Sequence, residues 1–253
     1  MTESALSGTR NAPGRASLRH LSAHGFDLAV QPGAGGRIVS LSYQGKDVFH
    51  PDPNPDDMKL LDSGCFPLVP FSNRIRDGRF EFDGHAYTLA RNWDGDDNAI
   101  HGEGWTGAWT VTQQDDTSIR MWMAGTDWWP WAYECSHIIR LTPGRVVLSL
   151  TVTNLDTRAM PAGLGFHPYF PLSAETQLHF SATGAIRPMD DHPVRVEPLT
   201  AETDFSRLSG VNARDLDHGY AGWNGLARIS QPADDLDITL RTNTTPAGAV
   251  IYI

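Results

Sequence analysis

Short runs in which every second residue is apolar recur along the sequence. In "VVLSLTVTN", Leu148, Leu150 and Val152 lie opposite Ser149, Thr151 and Thr153. A strand points successive side chains to opposite faces, so such a run buries one face and wets the other. "SIRMWMAG" puts Ile119, Met121 and Met123 on one side, and "LDITLRT" does the same with Leu236, Ile238 and Leu240. In "RIVSLSYQGKDVFH", Val39, Leu41 and Tyr43 share a face before Gln44-Gly45 turns the chain. "RFEFDGHAYTL" reads as a hairpin, because Asp-Gly supplies the two left-handed residues that a type I′ turn requires. Helical spacing is scarce beyond a turn or two. The 24 glycines and 17 prolines are scattered, as many short strands joined by turns require. The pattern predicts an all-β chain, a large antiparallel β-sandwich.

Residues 1–18 are small and polar without periodicity, and are expected to form a flexible tail. Residues 19–253 hold no Pro/Gly/Ser linker and no obvious repeat, so a single β domain is expected. The net charge is −10. A nucleic-acid partner wants a basic face, as does an anionic membrane surface, so neither partner is expected. The first residues lack an apolar signal core, and no apolar run is long enough to span a bilayer. The two cysteines, Cys65 and Cys135, read as reduced thiols, and the expected location is cytoplasmic. A neutral small molecule fits this balance as partner, with the chain a monomer or homodimer.

Three segments concentrate residues able to do chemistry. "GCFPLVPFSNRIRDGRF" carries Asn73 and Arg74, "NAIHGEGW" carries His101, and "GLGFHPYFPL" carries His167. In the last, Pro168 stiffens the backbone directly after the histidine, and Tyr169 and Phe170 follow. A lone histidine in a β protein is ordinarily a surface or satisfied core residue. A loop arginine is ordinarily a solvated charge, and Tyr169 and Phe170 are ordinarily core. No H-x-H or H-E-x-x-H spacing occurs, so no metal is expected. A G-x-S-x-G elbow and a P-loop are absent, which removes support for nucleophilic hydrolysis and nucleotide use. Two constrained histidines, an arginine and aromatics in an acidic chain fit proton transfer on a neutral polyol. Aromatic faces suit the C–H faces of a sugar, and Arg, Asn, Asp and His suit its hydroxyls.

These residues resemble the aldose 1-epimerase (galactose mutarotase) family. "GGRIVSLSYQGKDV", "GCFPLVPFSNRIRDGRFEFDGHAYTL", "NAIHG", "GFHPYF" and "LDHGYAGWNG" follow one another in the family's order. The resemblance implies a galactose mutarotase-like β-supersandwich with no metal and no organic cofactor. It implies interconversion of the anomers of free aldoses by acid/base ring opening and closure. His101 and His167 are similar to the two active-site histidines, with His167 as general acid at the ring oxygen. Arg74 and Asp217, with Asn73 beside Arg74, are similar to residues that bind sugar hydroxyls. The family's general base is a glutamate in a context like Phe-x-x-Glu-Pro-Val, and nothing equivalent occurs up to Ile253. The family's C-terminal strands are therefore expected to be lacking, and residues 1–253 are expected to bind sugar weakly and turn it over poorly. Glu103 is the nearest substitute base, although a solvated loop carboxylate is its ordinary reading. Two alternatives share the scaffold: a sugar-binding protein without turnover, and a hexose-6-phosphate mutarotase. The latter would want extra basic residues, with Arg76 and Arg79 at hand.

Overall fold

The structure is a computed structural model and describes residues 17–55, 64–186, 195–212, 216–243 and 248–252. Residues 1–16 of the expected tail lie outside the described residues. Two compact units are formed, one by the chain up to Phe170 and one from Pro171 onward.

In the first unit, five strands form the path of one antiparallel sheet, in the order β1 (Arg19–Ala23), β2 (Phe26–Gln31), β3 (Arg37–Tyr43), β5 (Cys65–Leu68) and β14 (Gly165–Pro168). A sixth strand, β4 (Lys46–Phe49), also pairs with β3. A second sheet has the order β10 (Thr110–Gln114), β11 (Ser118–Ala124), β12 (Tyr133–Thr142) and β13 (Arg145–Asn154). Two small pairs complete the unit: β6 (Arg74–Ile75) with β9 (Ala99–Ile100), and β7 (Arg79–Phe82) with β8 (His85–Thr88).

The alternation works as the sequence requires. Ile119, Met121 and Met123 of β11 are buried, as are Tyr133, Cys135, His137, Ile139 and Leu141 of β12. The register sets Ile139 beside Leu148, His137 beside Leu150 and Cys135 beside Val152. Cross-strand partners share a face, so Leu148, Leu150 and Val152 reach the same core. They stay half-buried because β13 is an edge strand. The β7–β8 hairpin turns on Asp83 (φ 51°) and Gly84 (φ 71°), both left-handed as a type I′ turn demands.

The fifth strand matters most for function. All four residues of β5 are buried, but they face two ways. Cys65 enters the main core between the sheets. Phe66 and Leu68 join a smaller cluster with Ala34, Ile100 and Trp105. That cluster forms the floor on which the histidines sit.

The second unit holds two four-stranded sheets. One has the order β18 (Ser209–Gly210), β15 (Gln177–Phe180), β20 (Leu226–Gln231) and β21 (Leu236–Arg241). The other has β17 (Val196–Glu197), β16 (Gly184–Ile186), β19 (Asp217–Ala221) and β22 (Gly248–Tyr252). Phe180, Phe205 and Tyr220 form its aromatic centre, with Phe180 5.3 Å from Phe205 and 4.8 Å from Tyr220. Among the described residues, helical structure is limited to 3-10 turns, and no helix is long and apolar enough to cross a membrane.

Candidate active site

His167 is placed by strand pairing. It lies opposite Phe66 in the β5–β14 register, and the two rings stack at 4.8 Å and 25°. Tyr169 stacks on His167 from another side, at 4.8 Å and 24°. Pro168 ends the strand at the sheet's outer edge, where a missing amide proton leaves no central ladder bond broken. Tyr169 is tied to the strand before it: its amide donates to the Gly64 carbonyl at 2.8 Å, and its carbonyl accepts from the His50 amide at 2.8 Å. The aromatic that follows faces the other way. Phe170 packs edge-on against Phe49, 5.5 Å away, on the main core.

His101 comes from a different kind of structure. It follows β9 in a tight loop with φ 61°, unusual for a residue with a β-carbon. Gly102 continues the left-handed path, and a β-carbon there would meet the Val69 carbonyl oxygen at 2.2 Å. The His101 amide donates to the Asn73 carbonyl at 2.9 Å. The side-chain amide of Asn92 holds the residues on either side. Its Oδ1 accepts from the Ile100 amide at 2.9 Å, and its Nδ2 donates to the Ile100 and Gly102 carbonyls, each at 2.8 Å. The His101 ring stands edge-on to Trp105 at 5.6 Å and edge-on to His167 at 5.6 Å.

Arg74 reaches the same place through the β6–β9 pair, where it lies opposite Ile100, the residue before His101. Its side chain is half-exposed, and its Nε donates to Asp96 Oδ2 at 2.6 Å. Asp96 also accepts from the Asn98 amide and side chain. Burial would raise the Asp96 pKa, but these bonds outweigh it and hold the carboxyl below its ordinary value. Asn73 has φ 63°, and its Oδ1 accepts from the Arg74 amide at 2.9 Å.

Both imidazoles are pushed toward the neutral form. Burial chiefly, then the neighbouring His167 and Arg74, push the His101 pKa down to about 3, against a smaller upward pull from Asp96. Burial likewise lowers His167, and Arg74 lowers it further, while a backbone hydrogen bond resists. Nδ1 of His101 is buried without a hydrogen-bond partner among the described residues. Such a group carries a desolvation cost until something fills the gap.

A family model described as Aldose 1-epimerase matches residues 21–253. The chain belongs to the aldose 1-epimerase family. The uncharacterized protein YphB of Escherichia coli (strain K12) is 36% identical over 197 residues, which cover 76% of this chain and 66% of YphB. The chain thus spans just under two thirds of that relative's length. The uncharacterized protein YihR of the same organism is 26% identical over 226 residues, 83% of this chain and 71% of YihR. A crystal structure from Escherichia coli K12, provisionally described as an aldose 1-epimerase, superposes with a TM-score of 0.87 at 30% identity, covering 94% of this chain and 81% of that one. A galactose mutarotase-like protein from Clostridium acetobutylicum gives 0.76 at 17% identity, covering 87% and 75%. At that identity the likeness speaks for the fold alone.

Within this epimerase fold, the first unit brings together four of the five residues singled out from sequence: His101, His167, Asn73 and Arg74. The fifth, Asp217, opens β19 in the second unit, where it is exposed and pairs in register with Tyr252. Glu103 is not a free loop carboxylate. It accepts from the Tyr133 hydroxyl at 2.7 Å and from the Thr126 amide and hydroxyl. A cavity of about 340 Å³ lies against the same loop, lined by Asn92, Gly102, Glu103, Thr106, Met123 and Trp128 among others. It includes neither histidine, so the chemistry is better sought on the histidine face. Among the described residues, no group of three or more His, Cys, Asp or Glu is arranged to hold a metal ion.

Proposed function

We propose that this chain interconverts the α and β anomers of free aldoses by opening and reclosing the sugar ring. The observation that carries the reading is the pair of imidazoles 5.6 Å apart on an aromatic floor, with Arg74 at the neighbouring strand position, in a chain of this family. Opening removes the proton from the anomeric hydroxyl as the bond from C1 to the ring oxygen breaks and the C1 carbonyl forms. The ring oxygen receives a proton in the same event. The open aldehyde rotates about C1–C2 and closes on its other face, with the proton transfers reversed.

His167 is assigned the proton delivered to the ring oxygen. Its lowered pKa makes the imidazolium scarce at neutral pH and correspondingly strong as an acid. His101, edge-on to it, is assigned the proton that leaves the anomeric hydroxyl, so one ring takes up a proton as the other gives one up. Tyr169 gives the apolar face of the sugar a wall, Phe66 supports His167 from the buried side, and Arg74 and Asn73 are assigned its hydroxyls. Sugar phosphates fit less well. Arg74 is paired with Asp96, and Arg91 with Asp94 and Asp97, so these arginines already face carboxylates.

Sugar binding without turnover is favoured by one observation. The carboxylates on the site's own loops are engaged, Asp96 by Arg74 and Glu103 by Tyr133 and Thr126, so neither is open to take the anomeric proton. Polarimetry of fresh α-glucose and α-galactose separates the two readings. A rate above the spontaneous one supports the enzyme. Calorimetric binding with a spontaneous rate supports the binding protein.

Arg74→Ala is expected to weaken sugar binding by about 1.5–3 kcal/mol, the usual worth of a hydrogen bond to a charged group. Titration calorimetry with galactose and glucose reads this directly. Parent-like affinity in the variant would put the sugar elsewhere.

A further inference from the structure

We propose that Asn92 is the positioning residue for His101, holding its imidazole edge-on to His167 without touching the sugar itself. The inference rests on the reading of His101 as part of the acid/base pair. A primary amide has two N–H donors and one carbonyl acceptor. Asn92 spends both donors and its carbonyl on the loop: Nδ2 on the carbonyls of Ile100 and Gly102, Oδ1 on the amide of Ile100. Nothing remains of its donors for a ligand.

The loop needs such a brace. His101 and Gly102 are consecutive left-handed residues, with φ 61° and 69°, and the first of them carries a β-carbon. A non-glycine residue keeps that conformation only where its surroundings over-determine it. The surroundings here can be counted. The His101 amide is held by Asn73, the residues before and after it by Asn92, and the amides of Glu103 and Gly104 by the Val69 carbonyl at 2.9 and 3.0 Å. Of these, Asn92 is the side chain that grips both flanking residues at once. It sits beside Trp93, whose ring packs 4.8 Å from Trp105, the residue that the His101 ring meets edge-on. The brace and the floor are thus parts of one loop.

Asn92→Asp keeps the size and removes both donors, and Asn92→Ala removes the brace. In either variant the His101 ring is expected to loosen toward water. Burial sets its titration first, and the charged groups that face it are His167, Arg74 and Asp96. The His101 titration, followed by imidazole NMR, should move upward toward the ordinary value while that of His167 stays in place. Turnover of α-glucose should fall roughly 10–100-fold, the scale of a misplacement of about 1 Å, with KM within about twofold. Parent-like His101 resonances together with parent-like turnover overturn the proposal. If neither variant folds, amide exchange in the parent decides: an Ile100 amide that exchanges as fast as an exposed one overturns the brace, and a protected one supports it. A parent that leaves anomer interconversion at its spontaneous rate sinks the mutarotase reading, and the His101 titration in the variants still decides the role of Asn92.

Discussion

Replacing His167 by glutamine is expected to slow enzyme-dependent anomer interconversion by about 10²–10⁴-fold, the usual contribution of a general acid. Glutamine keeps a polar, planar end of similar reach, but its amide cannot release a proton near neutral pH. The fold should survive. The strand position is fixed by pairing with Phe66, and the core below it belongs to Phe66, Leu68, Ile100 and Trp105 rather than to the imidazole. The loss should therefore appear in turnover rather than in melting temperature. Polarimetry on α-glucose and α-galactose, corrected for the spontaneous rate, measures it. An unchanged rate per folded molecule would remove His167 from the acid role. His101→Gln is the useful companion: if the rings act as a pair, the double variant should lose much less than the product of the two single losses.

Why His167 could be found in the sequence, and Asn92 could not, is a matter of range. The period-2 runs expose strand faces because the rule is local: Ile119, Met121 and Met123 are buried as their spacing requires. The Asp83-Gly84 turn is equally local, since it depends on two residues that tolerate positive φ. His167 advertised itself through Pro168 and its aromatic neighbours. Strand order had no such signature. That β5 pairs with β14, about a hundred residues further on, is a non-local choice, and so is the stacking of His167 on Phe66 that follows from it. The divergence of Tyr169 and Phe170 follows from the same strand alternation, but only once the sheet's two faces are known to be a site floor and a core. Asn92 and Asp96 lie in "NWDGDDN", a run whose turn-forming composition reads simply as a loop. Nothing in that composition says that one amide clamps residues 100 and 102, or that one carboxylate meets Arg74. Glu103 shows the converse. Its position beside His101 made it a candidate base, and tertiary partners 23 and 30 residues away claim its carboxylate.

The first unit should lose stability on mild acidification, from about pH 7.5 to pH 5, because buried histidines in it resist protonation; His137 and His101 carry the largest shifts. His137 lies in the main core between Trp109 and Phe166, and burial pushes its pKa down to about 4 against a smaller upward pull from the Gly36 backbone. His101 is held at about 3, by burial first and by His167 and Arg74 next. The sign follows from linkage. Each folded pKa lies below the unfolded value near 6.5, so between the two the unfolded chain binds the proton and the folded chain does not. Stability is therefore complete above about pH 6.5 and is lost as pH falls toward the folded pKa. At pH 5 the loss is about 2 kcal/mol for each of these two histidines. The carboxyls with lowered pKa, Asp96, Asp115, Asp156 and Asp237, titrate further down and leave this window to the imidazoles. Seven of the eight tryptophans precede Phe170, so the tryptophan-monitored urea midpoint reports mainly on the first unit. That midpoint should be clearly lower at pH 5 than at pH 7.5. His137→Leu should flatten the dependence in part, since one of the proton-excluding sites is gone and the apolar neighbours accept the replacement. Equal midpoints at the two pH values would mean that His101 and His137 take up protons in the folded state, and that the neutral form assigned to His101 in the site is wrong.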